Sequence, residues 1–202
     1  MSTRAGVSVL SIGVVAGIAL IALATALIWK AERVSPASAP SAIGGPFHLT
    51  NQSGTQVDER ILKGKWSAVY FGYTSCPDVC PTTLTDLAQA IDDVGARARK
   101  LQVLFISVDP ERDTPSRLAA YLSIASFPKG MIGLTGTADQ VAAAARAYRV
   151  YYKKAGEGAA YSVDHTSVVY LMDPDGRFSR PLSVEGPPAA VAKQIADAMN
   201  GV

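Results

Sequence analysis

The sequence predicts an α/β domain, a three-layer sandwich with a mixed central sheet, preceded by one N-terminal transmembrane helix. Between Val69 and Tyr148, short β-forming runs alternate with segments of helical spacing, the pattern of strands covered by helices on both faces. Two further β-forming runs, joined by a turn signal and followed by a helix, close the chain as a terminal hairpin and make the sheet mixed. Ahead of all this, the 25 residues from Ala5 to Trp29 carry no charge. A chain of 202 residues, 49% of them hydrophobic, has material for one domain of ordinary size plus an appendage.

At about 1.5 Å rise per residue the uncharged run exceeds the ~30 Å hydrocarbon thickness of a bilayer, and Trp29-Lys30 ends it as an interfacial anchor. A cleaved signal peptide, cut near Ala37-Ser38-Ala39, is the competing reading, but its apolar core would span only about 7–15 residues. Residues 1–30 are therefore expected to be a short cytoplasmic N-terminus and an uncleaved anchor, with Arg4 set against Lys30 and Arg33 in the positive-inside comparison. Residues 31–43 read as a flexible linker, because Ser35 to Gly45 is mostly Pro, Ser, Ala and Gly and cannot build a core. The folded domain is then 44–202.

Phe47 to Leu49 and Val57, with Gly54 between them, predict a short hairpin in which His48 points outward. Val69 to Tyr73 reads as a buried strand running into a loop. Pro81 is expected at the first position of a helix reaching about Arg97, which makes Cys80 its N-cap. Val103 to Val108 is a strand, and Asp109 to Pro115 a turn in which Thr114 caps a helix to about Ser126 and Arg112 pairs with Asp109 or Asp113. Ile132 to Leu134 is a weak strand, Thr137 to Tyr148 a helix, and Val150 to Lys153 an edge strand before a glycine-rich, mobile stretch. His165 to Met172 is one strand ending in the turn Asp173–Gly176, Phe178 to Leu182 its hairpin partner, and Pro187 to Asn200 the last helix.

A net charge of +2 without a Lys/Arg cluster gives no case for a nucleic-acid partner. The chemistry lies in Cys76 and Cys80, the only two cysteines, held in a loop between a strand and a helix N-terminus, which predicts a thioredoxin-like version of the sandwich. Each cysteine precedes a proline, so the pair is not expected to form one regular helical turn. A thiol at a helix N-terminus faces unpaired amides that favour thiolate, the form that binds metal and attacks disulfides. Three intervening residues allow the sulfurs either to share a soft cation or to bond each other. A structural disulfide across so short a loop would constrain the unfolded chain little, so a functional pair is preferred over a staple.

The segments GGPF (Gly44 to Phe47), FGYTSCPDVCP (Phe71 to Pro81), VDPERDTP (Val108 to Pro115) and DHTSVVYLMDPDGRF (Asp164 to Phe178) together resemble the Sco/SenC family of membrane-anchored copper chaperones. The resemblance covers essentially all of the predicted exported domain. It implies a thioredoxin fold, a copper site made by Cys76, Cys80 and His165, and delivery of copper to the dinuclear copper centre of cytochrome c oxidase. Implied partners are the copper-site subunit of that oxidase and other periplasmic copper chaperones or thiol reductases. The implied location is a bacterial inner membrane, crossed once, with the globular domain in the periplasm. Soft thiolates suit Cu(I) and an imidazole beside them also suits Cu(II), so two sulfurs and one nitrogen can hold either oxidation state, and the expected ion is Cu(I) and/or Cu(II). The alternative is a thiol-disulfide oxidoreductase that uses Cys76 and Cys80 as a redox dithiol to keep the oxidase cysteines reduced. The chain departs from the family pattern at Ser75, where many relatives carry a histidine, and has no proline directly before His165.

Overall fold

In WSAVYFG, residues 66–72, only Trp66 retains partial exposure, and a strand buried on both faces must lie in the interior of a sheet. A computed structural model, which describes residues 43–201, places it there. The expected membrane helix and all but the last residue of the expected linker lie outside the described residues. Among those described, no helix is long and apolar enough to cross a membrane.

The elements, in order, are β1 (His48–Asn51), β2 (Gln56–Asp58), β3 (Trp66–Gly72), α1 (Val79–Val94), β4 (Leu101–Ser107), α2 (Pro115–Leu122), β5 (Ile132–Thr135), α3 (Ala138–Ala147), β6 (Tyr152–Ala155), β7 (Ser162–His165), β8 (Val169–Met172), β9 (Phe178–Leu182) and α4 (Pro188–Met199). The main sheet has seven strands in the order β2-β1-β5-β4-β3-β8-β9. It is mixed, with β3 parallel to β4 and antiparallel to β8. Successive residues of a strand face opposite ways, and both faces of β3 meet helical layers. The Tyr70 ring leads through Phe105 to Tyr121 of α2, while Phe71 packs on Tyr148 at the end of α3. The result is the expected sandwich.

Capping chemistry starts α2 and α3 where the sequence places them. The Thr114 hydroxyl accepts from Arg117 N ahead of Pro115, and Thr137 with Gln140 forms a reciprocal capping box. His48 is exposed on β1, as expected.

Four expectations are corrected. First, α1 begins at Val79 rather than Pro81, because the Asp78 carbonyl already accepts from Thr82 N at 3.1 Å. Proline is tolerated in that first turn, where no intrahelical partner for its missing N–H exists, so Cys80 lies inside the helix instead of capping it. Second, α2 stops at Leu122 and α1 at Val94, where Gly95 takes a φ of 68° that ends regular helix. Third, the run HTSVVYLM is not one strand. His165 pairs with Tyr152, whereas Val169 pairs with Tyr70 and Leu182, so the segment changes sheets across residues 166–168. Fourth, the edge strand expected at Val150–Lys153 is β6, paired with β7 in a separate two-stranded ribbon.

Candidate metal centre

β3 ends at Gly72, and the turn that follows carries Cys76, half-buried, before α1 brings round Cys80, which is 0% exposed. The Cys80 sulfur rests against the strand end. A Cβ on Gly72 would sit 2.9 Å from Cys80 Sγ and 2.8 Å from the Phe105 ring, so this approach requires glycine. From the opposite side β7 delivers His165, whose Nε2 lies 3.4 Å from Cys80 Sγ. Its Nδ1 is 3.0 Å from the Thr166 carbonyl, which can only accept, so Nδ1 carries the proton and the Nε2 lone pair faces the sulfurs. The ligand atoms of Cys76, Cys80 and His165 lie within 4.8 Å of one another, and this is the one such cluster among the described residues. Both thiols are free. The three residues expected to act together are thus brought together.

The electrostatics differ from expectation in one respect. Burial pushes the Cys80 thiol up to about 12, against the thiolate-favouring N-cap position read from the sequence. The helix N-terminus acts elsewhere, with Cys80 N donating to Cys76 Sγ at 3.4 Å. Burial also lowers His165, which keeps its imidazole neutral and able to ligate. Two soft sulfurs and one neutral nitrogen fit a thiophilic cation, whose own charge would supply what the buried Cys80 thiolate lacks. Access is through a cavity of about 360 Å³ whose lining includes Cys76, His165, Pro77, Val79, Asp78 and Asp164. Val79 is 48% exposed there, an apolar side chain open to solvent at the mouth.

The loop Asp109–Thr114 does more than the turn and cap expected of it. Asp113, fully buried, accepts from Thr74 N at 3.0 Å, Thr74 Oγ1 at 2.6 Å and Ser107 Oγ at 2.6 Å, which ties the cysteine loop to the end of β4. Ser75 accepts from Arg117 Nη2 at 2.9 Å. Arg112 pairs with Asp109 rather than Asp113. Asp109 also accepts from the Tyr161 hydroxyl at 2.6 Å, which ties β7 to the same loop. Tyr161 and Tyr73 were not anticipated, since an aromatic residue near a ligand carries no periodic signal of its role; the nearest hint was the adjacency of Tyr161 to the His165 segment.

A family model described as SCO1/SenC matches residues 35–200. Protein SCO1 homolog 1, mitochondrial, of Arabidopsis thaliana is 45% identical over 150 residues, 73% of this chain and 44% of the relative. Protein SenC of Rhodobacter capsulatus is 44% identical over 168 residues, 83% of this chain and 75% of the relative. The solved structure of Bradyrhizobium japonicum ScoI with copper bound is 45% identical, with a TM-score of 0.71 over 80% of this chain and 100% of that one. The chain spans less than half the length of the Arabidopsis and human mitochondrial relatives it matches, at 44% and 46%.

Proposed function

The chain belongs to the SCO1/SenC family, and from that premise we propose that it is a copper metallochaperone whose cargo is held by Cys76, Cys80 and His165. One observation carries the reading: two sulfurs and one imidazole nitrogen converge within 4.8 Å of one another, and two of the three residues, Cys76 and His165, line a cavity. Copper-bound ScoI, 45% identical, supports it. Cys80 anchors the ion from inside, Cys76 holds it from the solvent side, and His165, oriented by Thr166, adds the nitrogen that Cu(II) favours. The acceptor proposed is the dinuclear copper centre of cytochrome c oxidase, reached from a bacterial inner membrane to which residues 1–30 anchor the chain, with 31–43 as spacer and 44–202 as the periplasmic copper domain. Further proposed partners are other periplasmic copper chaperones and thiol reductases.

The test is a Cu(II) titration of the reduced full chain followed by visible absorption. An intense thiolate-to-copper band saturating at equimolar metal, and abolished in His165→Ala with the far-UV circular dichroism unchanged, is the expected result. Copper binding unaltered in that variant overturns the ligand set.

The asymmetric burial of the thiols favours a second reading, thiol-disulfide exchange. Cys76 is reachable, so its thiolate can attack a target disulfide and release one target thiolate. Cys80, hidden behind it, then displaces the second, leaving a Cys76–Cys80 disulfide and a reduced target. An external thiol reductase must return the two electrons. A Cys80→Ser variant accumulates a mixed disulfide with the target if this role operates; no such adduct with the oxidase copper-site subunit removes it.

A further inference from the structure

A buried polar atom without a partner is costly, because no hydrogen bond offsets its desolvation. Among the described residues the Tyr70 hydroxyl is such an atom, on a side chain that is 0% exposed. Tyr70 lies two positions before Gly72 on β3, so both residues face the same side of the sheet. The Cys80 sulfur rests on that side, where a Cβ on Gly72 would meet Sγ at 2.9 Å and the Phe105 ring at 2.8 Å. Phe105 is also a neighbour of Tyr70, with 6.1 Å between ring centroids, and the His165 ring meets Tyr70 edge-on at 6.2 Å. Burial raises the Tyr70 phenol above its ordinary value, and the next groups acting on it are Cys80 and Thr83. Reciprocally, burial raises the Cys80 thiol, and Tyr70 is one of the groups that oppose that rise. The phenol thus stands beside the sulfur with its proton uncommitted.

We infer that Tyr70 is a positioning residue whose hydroxyl is the hydrogen-bond donor for the Cys80 sulfur once that sulfur binds copper. The inference rests on the copper reading above. A thiol carries its own proton and is a weak acceptor, whereas a metal-bound cysteine is a thiolate with lone pairs to fill. Cys80 is 0% exposed, so solvent offers its sulfur no donor, and the amide of Cys80 is already given to Cys76 Sγ at 3.4 Å. The Tyr70 O–H supplies the missing donor. A hydrogen bond to a ligating sulfur lowers the energy of its lone pairs and so tunes the bound metal. The unpaired phenol is therefore a cost of the metal-free chain that copper binding offsets.

The test compares the reduced full chain with Tyr70→Phe and Tyr148→Phe, each titrated with Cu(II) against a competing chelator. Tyr70→Phe keeps the ring against Phe105 and His165 and removes only the hydroxyl. Tyr148→Phe removes another buried, unpartnered hydroxyl, from a ring that packs on Phe71 across the opposite face of β3. In Tyr70→Phe the thiolate-to-copper band is expected at longer wavelength and the Cu(II) dissociation constant about 10-fold higher, the lower end of the range for loss of a group that supports a ligand. The urea midpoint of its metal-free form is expected at or above that of wild type, since the lost hydroxyl leaves no partner behind. Tyr148→Phe keeps the wild-type band and affinity. An unmoved band in Tyr70→Phe, the same shift in both variants, or a metal-free midpoint below wild type overturns the inference and leaves the hydroxyl a packing group. A wild-type chain without a Cu(II) band overturns the copper reading itself.

Discussion

His165 Nε2 lies 3.4 Å from Cys80 Sγ although 85 positions separate the two residues and the histidine ends a ribbon outside the main sheet. The pairing depends on a glycine on one side and a loop of buried carboxylates on the other, and each support can be removed separately.

Gly72→Ala is expected to disable the site from behind. The added methyl meets Cys80 Sγ at 2.9 Å and the Phe105 ring at 2.8 Å, so sulfur or ring must shift, at a cost of about 1–3 kcal/mol for overpacking. Urea denaturation measures the stability, and the copper absorption band of the folded variant measures the displaced sulfur. A variant with wild-type stability and an unshifted band shows that the strand end yields freely.

Asp113→Ala removes the carboxylate that accepts from Thr74 N, Thr74 Oγ1 and Ser107 Oγ, leaving the buried Ser107 hydroxyl and the half-buried Thr74 donors without that acceptor. Orphaning such groups costs about 1–3 kcal/mol each at most, so a loss of at least ~2 kcal/mol in chemical denaturation is expected, together with weaker binding of both copper oxidation states. Retention of Cu(I) affinity at wild-type level contradicts the proposed hold of Asp113 on the cysteine loop.

Alkaline pH should destabilise the reduced, metal-free chain. The folded Cys80 thiol is raised from its ordinary 9.0 to about 12, so between these values the unfolded chain has lost a proton that the folded chain keeps. Stability is then full below pH 9 and falls by up to about 1.4 kcal/mol per pH unit as pH rises towards 12. Buried Tyr70 and Tyr148 and half-buried Tyr121, all raised by desolvation, add to the loss once pH passes their ordinary value of 10.0. Denaturation midpoints from pH 8 to pH 10 in wild type and Cys80→Ala isolate the thiol; parallel curves remove its contribution.

Much of this architecture was legible in the sequence, and the limits have physical causes. β3 and β4 announced themselves as apolar runs because both faces are covered, and Thr114 and Thr137 as caps because their hydroxyls satisfy first-turn amides locally. The two cysteines and His165 were legible as a set. The break after His165 was not, since HTSVVYLM is uniformly β-forming and a change of pairing partner leaves no trace in propensity. The burial of Cys80 was misread for a related reason. A two-residue shift in where α1 begins turns that position from the helix end into the core, and boundaries depend on one carbonyl, that of Asp78, which no side chain advertises. Tyr161 stayed hidden because its partners, Arg112, Asp109 and Lys154, come from two other segments.

The distance in sequence between the sulfurs and the imidazole also gives the site a developmental order. A nascent or unfolded chain already possesses the Cys76–Cys80 pair, four positions apart, but acquires the nitrogen only when the ribbon docks. Before that moment it can capture any thiophilic ion through sulfur alone, with no geometry to discriminate among them. Completion of the fold is therefore also the moment at which the pair of sulfurs becomes a three-atom cluster, because the imidazole joins it only once β7 is in place.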